Sequence, residues 1–302
     1  MGGADDGGRG RASPRRAFTL VELAVLLAMA AVLLSIFIPY VRYTWERSHR
    51  LGCMDHLRQI NAALRVYAAD NAGMFPRVVH DTQSGTDAWT AFTGPDDPDP
   101  FAAGSAVRPN DVTASLWLLV RGGLLENTGV FVCPSTSDRR DLLTDDLGRR
   151  VEPAARGNFR SREHLSYSYA HPFSSAADYR LNEFRDPYFV LLADRNPGRV
   201  GGYDVTAVRW NDPPSRRRWG NSRNHDGAGQ SVLYASGVVE FVDSPYVGAR
   251  HDPTTPAGDH IYTALARRPA GDSPPTFTAP GVIGEDVGPA WGNDTFLVPY
   301  EK

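Results

Sequence analysis

Phe18-Thr19-Leu20-Val21-Glu22-Leu23-Ala24-Val25-Leu26-Leu27-Ala28-Met29-Ala30-Ala31-Val32-Leu33-Leu34-Ser35-Ile36-Phe37-Ile38-Pro39 follows directly on Arg15-Arg16-Ala17. From Leu23 to Val41 only Ser35 and Pro39 interrupt the apolar run. A helix needs about 20 such residues to cross a bilayer core, which predicts a transmembrane span over about 20–41. The pattern then changes without a break. Cys53, Leu57, Ile60, Leu64 and Tyr67 recur at spacings of three and four, with Arg58, Gln59, Asn61 and Arg65 between them, which is one apolar stripe on a helix. Pro39 and Gly52 bend a helix without ending it, and the first stop signal is Asn71-Ala72-Gly73 followed by Pro76. The spacing predicts one helix of roughly 50 residues, on the order of 80 Å long. Its first half is apolar all round and its second half is amphipathic.

Glu22 stands out in this helix. A carboxylate near the start of a membrane span costs roughly 2.5 to 3.5 kcal/mol on insertion scales, so it calls for a partner or a function. Arg15-Arg16-Ala17-Phe18-Thr19-Leu20-Val21-Glu22-Leu23 resembles the leader junction of type IV pilins and type II secretion pseudopilins. The resemblance implies that a prepilin peptidase cuts between Ala17 and Phe18 and methylates the new amino group. Counted from Phe18, Glu22 falls fifth and Pro39 twenty-second, as in the family pattern. Ala17 departs from that pattern, which has Gly before the cut, and slower processing is the expectation. In a filament the carboxylate of Glu22 would meet the amine of a neighbouring Phe18, because burial penalises every register that leaves either charge alone. A cut after Ala28-Met29-Ala30, as in a secretory signal peptide, would leave a short core containing Glu22 before it and an apolar run after it.

Two further segments carry a resemblance. Cys53-Met54-Asp55-His56-Leu57-Arg58-Gln59-Ile60-Asn61 through Asp70-Asn71 is similar to a pilin-like subfamily of planctomycete-type bacteria, whose members end in a His-x9-Asp-Gly element. The matching stretch here is Asn224-His225-Asp226-Gly227 through Ser236-Gly237, a Gly-rich turn, a strand, a Ser-Gly turn and a returning strand, hence a hairpin. Ten residues separate His225 from Ser236, and Ser stands where the family has Asp. A turn role suits Ser236 and Gly237 better than a metal-binding one.

Cys53 and Cys133 are the only cysteines. Outside the cytoplasm an even count invites a disulfide, which would close a loop of about 80 residues, and two buried thiols are the alternative. No Cys-x-x-Cys or other zinc spacing is present, which argues against a structural zinc. His225-Asp226, His251-Asp252 and Asp259-His260 lie in Gly/Pro-rich loops without helical ligand spacing or a nucleophile motif, so neither a metal centre nor catalysis is expected. Calcium stays open by analogy with major pseudopilins. Asp194, Asp226 and Asp252 are loop oxygen donors, but they match no coordination pattern.

The remaining composition sets bounds. At 302 residues with 41% apolar content the chain can bury a sizeable core. A net charge of −3 gives no reason to expect nucleic acid as a partner. Residues 1–17 are read as a polar leader whose arginines keep it on the cytoplasmic side. Residues 18–76 form the long helix, and 77–302 form a periplasmic head with a Pro-rich tail. Within the head, 112–125 reads as a short helix. Gly129–Cys133, Leu165–Tyr169, Tyr188–Ala193, Ile261–Leu265 and Thr295–Pro299 read as strands. The Arg216-Arg217-Arg218 run reads as a solvated loop.

The expected fold is α+β: a long N-terminal helix packed on an antiparallel sheet, a pilin-like lollipop. The expected function is structural, as a subunit of a type IV pilus-like or type II secretion pseudopilus filament, not an enzyme and without a required cofactor. Its partners would be the prepilin peptidase, sister subunits and the inner membrane. A rival from another class is a membrane-anchored periplasmic binding module stacking a ligand on Trp210, Trp219 and Tyr234.

Overall fold

A computed structural model describes residues 19–81, 87–145, 147–249, 258–264, 282–290 and 292–301. The leader, Ala17, Phe18, His251 and Asp252 lie outside the described residues. The chain divides into two compact units, Met1–Trp45 and Glu46–Lys302. The helix α1, Leu20–Asp70, runs through the division for 51 residues without interruption and contains Pro39.

In the first unit every side chain from residue 19 to residue 40 is exposed, including Leu20, Leu27, Leu33 and Ile36. A surface this apolar is not one that water favours, and the helix is long and apolar enough to cross a membrane. Its first turn carries a reciprocal cap. Thr19 donates from its backbone N–H and its hydroxyl to Glu22 Oε2, both at 2.9 Å, while the Glu22 N–H donates to Thr19 Oγ1 at 3.2 Å. This is a capping box, which satisfies N–H groups that a helix start otherwise leaves unpaired.

The second unit holds the core. On α1 the stripe Cys53, Leu57, Ile60, Leu64 is buried, joined by Ala63 and Ala68. It belongs to one apolar cluster with α2 (Val112–Arg121) and the sheet. Asp111 caps α2, accepting from Ala114 N at 2.8 Å, and Gly122-Gly123 ends it, with Gly123 at φ +72° and Leu124 N donating to Leu119 O at 2.9 Å. That glycine pair is why the helix stops at Arg121 and does not reach Leu125.

Five strands form one antiparallel sheet in the order β4-β3-β2-β1-β5. They are β1 Tyr167–Ala170, β2 Val190–Asp194, β3 Gln230–Tyr234, β4 Val239–Val242 and β5 Leu297–Val298. β2 is central and buried along its whole length, as its continuous apolar run requires. Its register is Tyr167 opposite Asp194 on one side and Ala193 opposite Val232 on the other. β4 is an edge strand that keeps Glu240 exposed, and β5, the other edge, is only two residues long; both features discourage further strand addition.

Two expected strands are absent. Thr128–Phe131 is a 3-10 turn, because Asn127 accepts from Gly129 N at 3.0 Å and pulls the chain into a cap. Ile261–Ala264 makes a turn closed by Thr263 N on His260 O at 3.2 Å, with only single bridges at His260 and Ala264, and Leu265 lies outside the described residues.

Buried histidines give the second unit a pH dependence. Burial pushes the His171 imidazole down to about 3, against weaker opposing hydrogen bonds, and does the same to His260. A histidine depressed in the fold is protonated more readily in the unfolded chain. Stability is therefore complete above the unfolded value near 6.5 and is lost as pH falls towards about 3. Buried Asp259, pushed up by desolvation and by the charge of Asp294, works in the opposite sense, so a variant is needed to isolate the term. His171 stacks on Phe296 with ring centroids 6.1 Å apart, and His171→Phe keeps that packing. Between pH 7 and 5 the wild type is expected to lose about 2 kcal/mol more than His171→Phe, measured by urea unfolding of the detergent-solubilised chain. Equal losses would refute the assignment.

Candidate functional site

Five side chains from separate parts of the second unit meet around His225: Glu46 and Cys53 on α1, Cys133 after the 3-10 turn, Asp194 at the end of β2, and His225 itself. The turn that presents His225 is the 3-10 segment Arg223–His225, capped by Ser222, whose hydroxyl donates to Arg195 O at 2.7 Å. Asp226 follows in the left-handed region at φ 52° and Gly227 at φ 72°, which reverses the chain into β3. At Gly227 an added Cβ would lie 2.7 Å from Arg218 O, so this turn has no room for a side chain.

Both ring nitrogens of His225 face carboxylates. Nδ1 lies 2.7 Å from Glu46 Oε1 and Nε2 3.2 Å from Asp194 Oδ2. To donate to both, the ring must be an imidazolium. Burial alone would push its pKa down, but the hydrogen bond and charge of Asp194, then those of Glu46, outweigh it and hold the value above the ordinary one. Glu46 mirrors this. Burial pushes its carboxyl up, while His225 and then Arg50 and Ser135 draw it below the usual range.

The carboxylates are themselves held. Glu46 accepts from Arg50 Nε at 3.1 Å and Ser135 Oγ at 3.0 Å. Arg50 lies 4.2 Å over the Phe241 ring, whose edge-to-face partner is His225 at 5.3 Å. Asp194, fully buried, accepts from Asn224 Nδ2 at 3.0 Å and Ser231 N at 2.6 Å. Cys53 and Cys133 are bonded to each other with Cα atoms 5.2 Å apart, and Cys133 Sγ lies 3.6 Å from His225 Nε2. The donor atoms of Cys53, Cys133, Asp194 and His225 all fall within 4.8 Å of one another.

Of the residues singled out in the sequence, Cys53, Cys133, His225 and Asp194 come together here. Asp226, His225's neighbour in sequence, is exposed, and the acids facing the ring are Asp194 and Glu46. Ser236 and Gly237 form the β3–β4 turn, with Gly237 at φ 89° donating to Tyr234 O at 2.8 Å. An added Cβ on Gly237 would stand 3.2 Å from Asn61 Nδ2, so the turn abuts α1. Asp259 and His260 are buried elsewhere, His260 edge-on to Tyr246 at 4.6 Å. Trp219 pairs with Tyr203 and Tyr234 with Tyr188, and among the described residues no ring contact gathers Trp210, Trp219 and Tyr234 into one stacking surface.

Glu46, Arg50 and Ser135 were not expected. Glu46 reads in sequence as one more charge on the helix beyond the membrane span, and only folding brings it to a histidine 179 residues away.

The fold defines an α+β protein with a long apolar N-terminal helix and a five-stranded antiparallel sheet. Compared with known proteins, the chain matches no family model, no curated protein and no solved structure.

Proposed function

We propose that the chain is a structural subunit of a filament of the type IV pilus or type II secretion pseudopilus kind, held in the inner membrane before assembly with its second unit outside the cytoplasm. The observation that carries this reading is the uninterrupted helix Leu20–Asp70, exposed and apolar from residue 19 to residue 40 and then striped with buried Cys53, Leu57, Ile60 and Leu64. A simple tether needs only the first part. A subunit whose apolar helices pack against one another needs that part continuous with the fold. The disulfide adds support, since such bonds persist outside the reducing cytoplasm. The chain itself carries out no reaction in this reading; Ala17-Phe18 is the substrate of a prepilin peptidase.

Glu22 separates this reading from its plainest competitor, in which the carboxylate only caps the helix through Thr19. Glutamine serves in a capping box nearly as well as glutamate but carries no charge. If Glu22 pairs with the Phe18 amine of a sister subunit, Glu22→Gln and Glu22→Ala should both reduce filament incorporation at least ten-fold. Incorporation is measured by shearing and immunoblotting, alongside mass spectrometry for a methylated Phe18 at the mature N-terminus. Wild-type incorporation of Glu22→Gln would reduce the residue to a cap, and an uncut leader would sink the filament reading.

A further inference from the structure

We propose that Cys53, Cys133, His225 and Asp194 form a binding site for a thiophilic divalent cation of the zinc class, open when the Cys53–Cys133 disulfide is reduced and closed when it is formed. Zinc takes four ligands in a tetrahedron at about 2.0 to 2.3 Å, so neighbouring donor atoms stand roughly 3.3 to 3.8 Å apart. Cys133 Sγ and His225 Nε2 are 3.6 Å apart, and His225 Nε2 and Asp194 Oδ2 are 3.2 Å apart. Two edges of such a tetrahedron already exist while the sulfurs are bonded. The donor set, two thiolates, one imidazole and one carboxylate, suits zinc and excludes a hard cation such as calcium.

The surroundings are those of a metal site rather than of a disulfide alone. A disulfide is apolar and asks for no charged neighbours, yet a fully buried aspartate and a buried histidine stand beside this one. The ring nitrogen away from the sulfurs, Nδ1, is held by Glu46 at 2.7 Å, an arrangement that fixes the orientation of a ligating imidazole and raises its basicity. Asp194 is fixed in turn by Asn224 and the Ser231 N–H. No local motif announces the site, because its ligands come from α1, the segment after the 3-10 turn, the end of β2 and the turn before β3.

The two states interconvert by a balanced exchange. A phosphine reductant attacks one sulfur, the S–S bond breaks, and with water the products are a phosphine oxide and two thiols. The cation then binds both sulfurs, His225 Nε2 and Asp194, and each S–H and the Nε2–H releases its proton to water. A small-molecule disulfide re-forms the Cys53–Cys133 bond by thiol–disulfide exchange, being itself reduced to two thiols, which removes two of the four ligands and ejects the ion.

The test uses the full chain in detergent micelles, with Co²⁺ as a spectroscopic stand-in and Zn²⁺ as competitor. After phosphine reduction and its removal, one Co²⁺ per chain is expected, with the intense visible bands of tetrahedral cobalt and thiolate charge-transfer absorption, displaced by one equivalent of Zn²⁺. The oxidised chain should bind at least 100-fold more weakly. Asp194→Asn should weaken binding at least ten-fold, and Glu46→Gln, which leaves all four ligands in place, about 10- to 100-fold. If the reduced chain does not stay folded, refolding with Zn²⁺ present should restore it. A folded reduced chain with two titratable thiols that binds no Co²⁺, binds it only octahedrally, or binds it equally as Asp194→Asn would overturn the proposal. So would a reduced chain that Zn²⁺ cannot refold.

Discussion

Replacing Asp141 by alanine is expected to lower the stability of the protein by about 3 to 5 kcal/mol, the cost of leaving a buried cation without its counter-ion. Arg156 has no exposed surface, and its Nη1 donates to both Asp141 oxygens at 2.9 and 2.8 Å. Nη2 donates to Thr144 O, while Nε has no partner among the described residues, so little remains to hold the charge once the carboxylate is gone. The loss would spread, because Asp141 Oδ1 also accepts from Leu143 N at 2.8 Å and Trp117 Nε1 donates to Arg156 O at 3.0 Å. The pair itself need not be a large net stabiliser, since taking both ions out of water is costly. The double variant Asp141→Leu with Arg156→Met should therefore be much milder than Asp141→Ala alone. Urea unfolding of the detergent-solubilised chain measures both, and a shift under about 1 kcal/mol for Asp141→Ala would show that water reaches Arg156.

Local periodicity carried most of the fold and almost none of the site. The three- and four-residue spacing of Cys53, Leu57, Ile60 and Leu64 marks the buried stripe because a helix repeats every 3.6 residues. The Gly-rich turn before Gln230 and the Ser236-Gly237 turn frame a hairpin that the register of β3 with β4 reproduces. Strands without a local frame were misplaced, as at Thr128–Phe131, where one Asn127 side chain decides the backbone. The His225 cluster was hidden because its partners lie 92 and 179 residues away, and only the packed fold sets those distances. One signal was available. Asp194 closes a continuous apolar strand, and a carboxylate in line with a buried run calls for a cation or donors nearby, although the stretch after it reads as a simple turn. Thr19-Leu20-Val21-Glu22 hid a second feature, because the Thr-x-x-Glu spacing of a capping box was present under a reading that looked outward for a partner chain.

Breaking the Cys53–Cys133 bond in the presence of a chelator, which keeps any ion away from the freed thiols, should cost about 4 to 5 kcal/mol. The bond closes a sequence separation of 80 residues, and in the chain-entropy model such a crosslink removes roughly that much freedom from the unfolded state. The native contacts should change little. Leu57 and Ile60 on the same stripe are fully buried without help from the sulfurs, and Cys133 is followed by Pro134, which an added Cβ on Gly52 would meet at 3.2 Å. An effect that acts through the unfolded chain has a signature that lost packing lacks: reduction should raise the urea m-value, because a longer free chain exposes more surface. Cys53→Ala with Cys133→Ala should reproduce both the lower midpoint and the steeper slope. If the midpoint drops with the slope unchanged, the sulfurs contribute mainly by filling space beside His225 rather than by tethering α1 to the segment that follows the 3-10 turn. An unchanged midpoint would mean that the buried stripe alone holds the helix in place.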